Sequence, residues 1–167
     1  MSQQLDPWVG ITRFDPRGVA MYERHYSCRA YADGRKRRQF APPGSPLCLL
    51  TDTQDALFGW VKNSVERYDK QEGVNCFVFR NESPRLASEL IRLASARAWV
   101  KWPGERLFTY VDPRKVRSQG RKRPPGWIFL QAGWRECGKS KKGLLIFECT
   151  PEGCPEQGRV SGEGSNQ

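Results

Sequence analysis

The chain has 167 residues, enough for one ordinary domain with its own core and too few for two sizeable ones. Apolar residues make up 38% of it, and six Trp, five Tyr and eight Phe supply large areas to bury, so wholesale disorder is excluded. Lys and Arg number 28 against 18 Asp and Glu, a formal charge of +10 that suits a polyanionic partner, and no apolar run reaches the ~20 residues that a membrane-spanning helix needs.

In chain order, Trp8 to Phe14 predicts a short strand, broken by Asp15-Pro16-Arg17-Gly18. The recurrence of Met21, Tyr22, His25, Tyr26 and Arg29 predicts a helix from about Val19 to Tyr31. A basic block and the Ala41-Pro42-Pro43-Gly44-Ser45-Pro46 stretch then read as loop. Leu47 to Thr51 and Ala56 to Lys62 predict a hairpin across Asp52-Thr53-Gln54-Asp55. Cys76 to Arg80 is apolar enough for a central strand buried on both faces. Ser83 as N-cap with Pro84 at the first helical position opens a helix whose stripe is Ala87, Leu90, Ile91, Ala94, Ala98 and Trp102, stopped by Pro103-Gly104. Arg106 to Val111 predicts a strand, Pro113 to Pro125 a long basic loop, Trp127 to Ala132 a short helix, and Leu144 to Cys149 the last strand. The expected fold class is mixed α/β (α+β): a central sheet flanked by helices in one domain, residues 1–150, with a disordered tail over 151–167.

The start of the chain lacks the charged-then-apolar layout of a signal peptide, so the expected location is the cytoplasm. Cys28, Cys48, Cys76, Cys137, Cys149 and Cys154 form no CxxC pair and are expected as free thiols, with no metal site. The positive charge is clustered in Arg35-Lys36-Arg37-Arg38, in Arg114, Lys115 and Arg117 with Arg121, Lys122 and Arg123, and in Lys139, Lys141 and Lys142. Clusters flanking candidate site segments favour nucleic acid over mere solubility. Trp127 and Trp134 flank the short helix, and one of them is expected to stack on an extruded base, core filling being the commoner fate of tryptophan.

Two acids stand at the ends of successive strands, Glu82 and Asp112, where side chains leave the packed layer and ligand crevices open. Glu82 is open to two readings, a base for an attacking amine or a charge placed favourably at a helix start; Asp112 to an acid–base role or an ordinary Asp-Pro strand exit. His25, the sole histidine, suits a general base, a metal ligand or a structural hydrogen-bonded residue, and Tyr26 and Ser27 beside it add two more proton-handling groups. On a helix, however, adjacent side chains diverge.

The order of a central strand, a helix, a second strand, a short helix ending Phe129-Leu130-Gln131-Ala132-Gly133-Trp134 and a final strand resembles the second half of GNAT-fold acyltransferases. His25-Tyr26-Ser27, Thr109-Tyr110-Val111-Asp112-Pro113 and Phe129 to Trp134 followed by Gly138 are similar to the bacteriophage Mom family, which modifies adenines in phage DNA and so blocks restriction enzymes. The resemblance implies a GNAT-like sheet, with His25, Tyr26, Ser27, Asp112 and the aromatic position at Phe129 lining the active centre. It also implies acetyl-CoA or another acyl donor near Arg80, Asn81, Ser83, Arg85 and Ser88. The glycine-rich acyl-CoA loop of ordinary GNAT enzymes is absent from Arg80 to Ala87, and Phe129 stands where a tyrosine is expected. The function expected is a phage-type DNA base-modifying transferase acting on an exocyclic amine. The alternatives are an acetyl-CoA-dependent N-acetyltransferase acting on a protein or small amine, and a non-catalytic DNA-binding protein on a degenerate GNAT fold.

Overall fold

The computed structural model describes residues 5–64, 67–116 and 122–153. One seven-stranded sheet runs through them. Its strands are β1 (Trp8–Ile11), β2 (Ser45–Thr51), β3 (Ala56–Lys62), β4 (Val74–Asn81), β5 (Leu107–Val111), β6 (Arg135–Lys139) and β7 (Leu145–Cys149), in the order β1-β2-β3-β4-β5-β7-β6. Every neighbouring pair is antiparallel except β4 and β5. Helices α1 (Pro16–Glu23), α2 (Ala87–Lys101) and α3 (Trp127–Gln131) complete the fold.

Alternation along the strands decides which helix covers which face. Leu49, Ala56, Phe58 and Trp60 pack with Leu90, Ile91, Ala94 and Ala98 of α2 and with Phe129 of α3, while Cys48, Leu50 and Leu57 pack with Val19 and Met21 of α1. So α1 lies on one face and α2 with α3 on the other. The α2 stripe is the one its sequence spacing predicts, and two indole N–H groups fasten the sheet to it: Trp8 donates to the Leu90 carbonyl and Trp60 to that of Ala94, both at 3.0 Å.

Several predicted boundaries move. Asp15 does not break the chain but caps α1, accepting the Arg17 N–H at 2.9 Å, with Pro16 in the first turn. That helix ends at Glu23 rather than Tyr31, because the Arg24 N–H closes back on the Met21 and Tyr22 carbonyls and the following residues form turns. Ser83 is not the cap of α2 either: its hydroxyl bonds Asn81 and the Arg85 N–H, and the helix begins three residues after Pro84 at Ala87. The strand β6 was not predicted. All five of its residues are exposed and none of its side chains is a large apolar one, so it carries no periodic signal. Cys149 is disulfide-bonded, against the free-thiol expectation, whereas Cys28, Cys48, Cys76 and Cys137 are free. Of the expected tail, residues 151–153 form a turn and 154–167 lie outside the described residues.

The pairing of β3 with β4 slips by one residue, Gly59 opposing Val78 but Trp60 opposing Cys76, so Phe77 is the extra residue of a β-bulge. A Cβ at Gly59 would lie inside 3.0 Å of the Phe77 ring. Glycine is therefore required there by close approach. We expect Gly59→Ala to lower stability by ~1–3 kcal/mol, read as a fall in Tm, while Gly10→Ala, which meets nothing within 4 Å, leaves Tm nearly unchanged.

Candidate active site

Between β4 and β5 the ladder covers only Val74↔Leu107, Asn75↔Phe108 and Cys76↔Thr109, although β4 continues to Asn81 and β5 to Val111. Past Cys76 and Thr109 the two strands are no longer paired with each other. A cavity of ≈ 320 Å³ occupies that opening, with His25, Tyr26 and Ser27 on its α1 side and Gly126, Ile128 and Phe129 at α3 on the other. The cavity thus reaches both faces of the sheet through its middle.

The early end of α1 brings His25, Tyr26 and Ser27 to one wall. On a continuous helix they would fan apart; in the turn all three line the cavity. The Ser27 N–H donates to His25 Nδ1 at 3.2 Å and the Ser27 Oγ lies 2.7 Å from the same nitrogen. Nδ1 therefore keeps its lone pair and the ring proton sits on Nε2. Burial, reinforced by the nearby Arg80 guanidinium, lowers the His25 pKa to about 4, against a hydrogen bond with the Phe79 backbone that raises it. The imidazole is neutral at physiological pH. The Tyr26 ring stacks on His25 with centroids 4.5 Å apart, and its hydroxyl accepts the Asp112 N–H at 3.4 Å, leaving its own proton for another partner. Burial raises its pKa.

Asp112, 7% exposed, lines the cavity at the end of β5. Hydrogen bonds from the Arg114 side chain, then from its backbone, hold the carboxylate below its usual pKa, so it is a fixed negative charge. Glu82 is different. It does not line the cavity but is gripped by Arg24 at 2.7 Å and Arg80 at 2.5 Å, and those two hydrogen bonds bring its pKa down to about 2. The expected cleft shared by two carboxylates is thus corrected to one, Asp112. Phe129 lies at the cavity as expected, packed against Trp134 and Phe147.

The expected donor-binding segment does not reach the cavity. Arg80 spends its guanidinium on Glu82 and the Arg24 carbonyl, Asn81 bonds Ser83 and the Arg85 carbonyl, Arg85 leans toward Asp52 at 3.5 Å, and Ser88 is buried on α2. Three backbone N–H groups of the turn itself are occupied: Glu82 donates to the Asp55 carbonyl, Ser83 to Asn81 Oδ1 and Arg85 to Ser83 Oγ. With no glycine in the turn and Glu89 in the first turn of α2, these residues do not fit the diphosphate of coenzyme A.

The cationic residues divide. Arg35, Lys36 and Arg38 are exposed, whereas Arg37 is packed over the Tyr22 and Tyr31 rings and donates to the Arg29 carbonyl at 2.6 Å, so it braces the loop. Arg114 is tied to Asp112 but largely exposed. Lys115 lies at the cavity mouth with Arg29, a cation that the sequence reading passed over. Lys122 and Arg123 are exposed, and Arg117 and Arg121 lie outside the described residues. Trp127 is half-buried, and Trp134 is a core residue at 3% exposure, which removes it as a stacking platform. Sequence reasoning also missed Asn75, a polar residue in an apolar strand that lines the cavity. Among the described residues no cluster of three metal-ligating side chains occurs, and no helix is long and apolar enough to cross a membrane.

No protein-family model matches the chain, and no curated protein matches it.

Because protonation of His25 is disfavoured in the fold, its contribution is complete above pH 6.5 and is lost as pH falls toward 4. Glu82, with its pKa depressed, loses its contribution only below 4.5. We therefore expect the Tm of the wild type to fall relative to that of His25→Gln between pH 6.5 and 4.5. Parallel Tm curves across that window would mean that the imidazole is not desolvated.

Proposed function

We propose that this protein is a GNAT-like, phage-type transferase that modifies the exocyclic amine of a DNA base, with protection from restriction as its consequence. The observation that carries the reading is the opening between β4 and β5, entered by His25, Tyr26, Ser27 and Asp112 from the α1 side and by Phe129 from the other. The strand, helix, strand, short helix and final strand on which the resemblance rests correspond to β4, α2, β5, α3 and β7, with β6 inserted before the last.

In this reading an extruded base enters from the α1 side, where exposed cations meet its phosphates. The amine nitrogen forms a bond to the acyl carbon of an activated donor as the bond from that carbon to its leaving group breaks. The amine proton passes to Ser27 Oγ, whose own proton moves to His25 Nδ1 at 2.7 Å. The Asp112 carboxylate stabilises the positive charge that builds on the nitrogen. Tyr26, a phenol that is protonated at neutral pH, supplies a proton to the leaving group, a task for which Phe129 has no hydroxyl. No step runs through coenzyme A, whose diphosphate the turn before α2 does not fit, and this also weighs against the N-acetyltransferase alternative.

The test is nucleoside mass spectrometry of DNA from cells expressing the protein. We expect a new nucleoside with the wild type, about 100-fold or greater loss of its yield in His25→Ala and Asp112→Asn, and its retention in Glu82→Gln. Unmodified DNA from wild-type cells would overturn the base-modifying reading and leave the two alternatives, of which the acetyltransferase is the one the coenzyme A misfit disfavours. In a separate measurement, DNA affinity should fall about 100-fold between 50 and 200 mM salt for a footprint of roughly four phosphates, and a flat salt response would exclude the phosphate-gripping role.

A further inference from the structure

Asn75 is the second residue of β4, paired in parallel register with Phe108, one pair before the two strands part. Its neighbours Val74 and Cys76 belong to the core under α2, so by alternation Asn75 projects to the α1 face, the face of His25 and Tyr26. It is 8% exposed, and its Oδ1 is buried without any hydrogen-bond partner among the described residues. A buried carboxamide oxygen left without a donor is costly, and β4 otherwise runs Val74, Cys76, Phe77, Val78 and Phe79, where an apolar side chain suits the fold better. Other polar side chains at the cavity have partners already. The Thr109 hydroxyl donates to the Cys76 carbonyl at 3.0 Å, Tyr110 is tied to Asp69 and Arg67, Asp112 to Arg114, and Ser27 to His25.

We propose that Asn75 is the positioning residue for the acceptor: its Oδ1 accepts a hydrogen bond from an N–H of the amino group to be modified, while its Nδ2 donates to the adjacent ring nitrogen. This rests on the base-modifying reading above. A carboxamide offers an acceptor beside a donor, and its complement is a heterocycle edge with an exocyclic N–H next to a ring lone pair. The placement on the α1 face puts this grip on the side of His25 and Ser27, the proton relay. Held by one N–H, the amine keeps its other proton and its nitrogen turned to the cavity centre. A base without the amino group leaves Oδ1 unsatisfied, and the penalty falls on the wrong substrate.

The pairing is read by a double-mutant cycle on the full chain, with adenosine 5′-monophosphate and purine riboside 5′-monophosphate as ligands and binding followed by ¹⁵N–¹H shift perturbation. The second ligand differs only in carrying hydrogen in place of the amino group. The wild type is expected to prefer the aminated nucleotide about tenfold, the value of one hydrogen bond of ~1.4 kcal/mol. Asn75→Leu is expected to bind both alike, and Asn75→Asp, which keeps an oxygen and covers the case in which the leucine variant does not fold, to retain a preference. Equal binding by the wild type overturns the assignment, as does a preference that survives in Asn75→Leu. Weakened binding of coenzyme A by Asn75→Leu with the nucleotide preference intact also overturns it, since Asn75 then serves the donor. The two readings fail separately. A new nucleoside in DNA made as well by Asn75→Leu as by the wild type sinks the grip alone, whereas an amine preference with no new nucleoside supports the grip and sinks the transferase.

Discussion

The site depends on one short ladder. Among the described residues β4 and β5 are the sole parallel neighbours in the sheet, joined through α2, and they hold each other over three residue pairs before parting. A backbone that leaves its ladder inside a protein exposes N–H and C=O groups that need other partners, so such an opening is a polar slot suited to a ligand and expensive to leave dry. Everything assigned to chemistry sits around it. The bulge at Phe77 and the glycine opposite let β4 bend away there, while the indoles of Trp8 and Trp60 pin α2 to the neighbouring strands.

Electrostatics then divides the groups by role. Asp112 stays charged beside Arg114, His25 stays neutral because burial and Arg80 oppose its cation, and Tyr26 stays protonated. The three groups around the cavity therefore rest as an anion, a neutral base and a neutral acid at neutral pH, which suits the transfer of a proton between fixed positions. Glu82 has the opposite character: two guanidiniums neutralise it outside the cavity, and it links elements instead of handling protons.

Much of this architecture was legible in the residues. The β2–β3 hairpin, the α2 stripe and the short helix before Gly133 followed from periodicity and turn chemistry, and the strand-end position of Asp112 did mark the cavity. Other features obey forces that spacing does not carry. Tyr22, Tyr26 and Arg29 keep a helical interval, yet backbone closure at Arg24 ends the helix first. The bulge inverts the alternation within β4, so Arg80, expected beside the donor near α2, turns toward Arg24 and Glu82 on the α1 side. Glu82 could not be separated from Asp112 by position along a strand, because its two partners come from different parts of the chain. Asn75 did leave a signal, a lone amide in an apolar run, but only the depth of its burial gives that signal meaning.

The Arg24–Glu82–Arg80 clamp joins the residue just before His25 to the far end of β4. Ion pairs this accessible add little to folding free energy, but they tie the irregular arm that follows α1 to the sheet at its root. Beyond Ser27 the arm is packed differently, with Arg35 and Arg37 lying over the Tyr31 ring. In the proposed function an arriving strand would meet this outer arm while the corner of His25 and Ser27 stays tied to the sheet, as a cuff stays buttoned whatever the fingers touch.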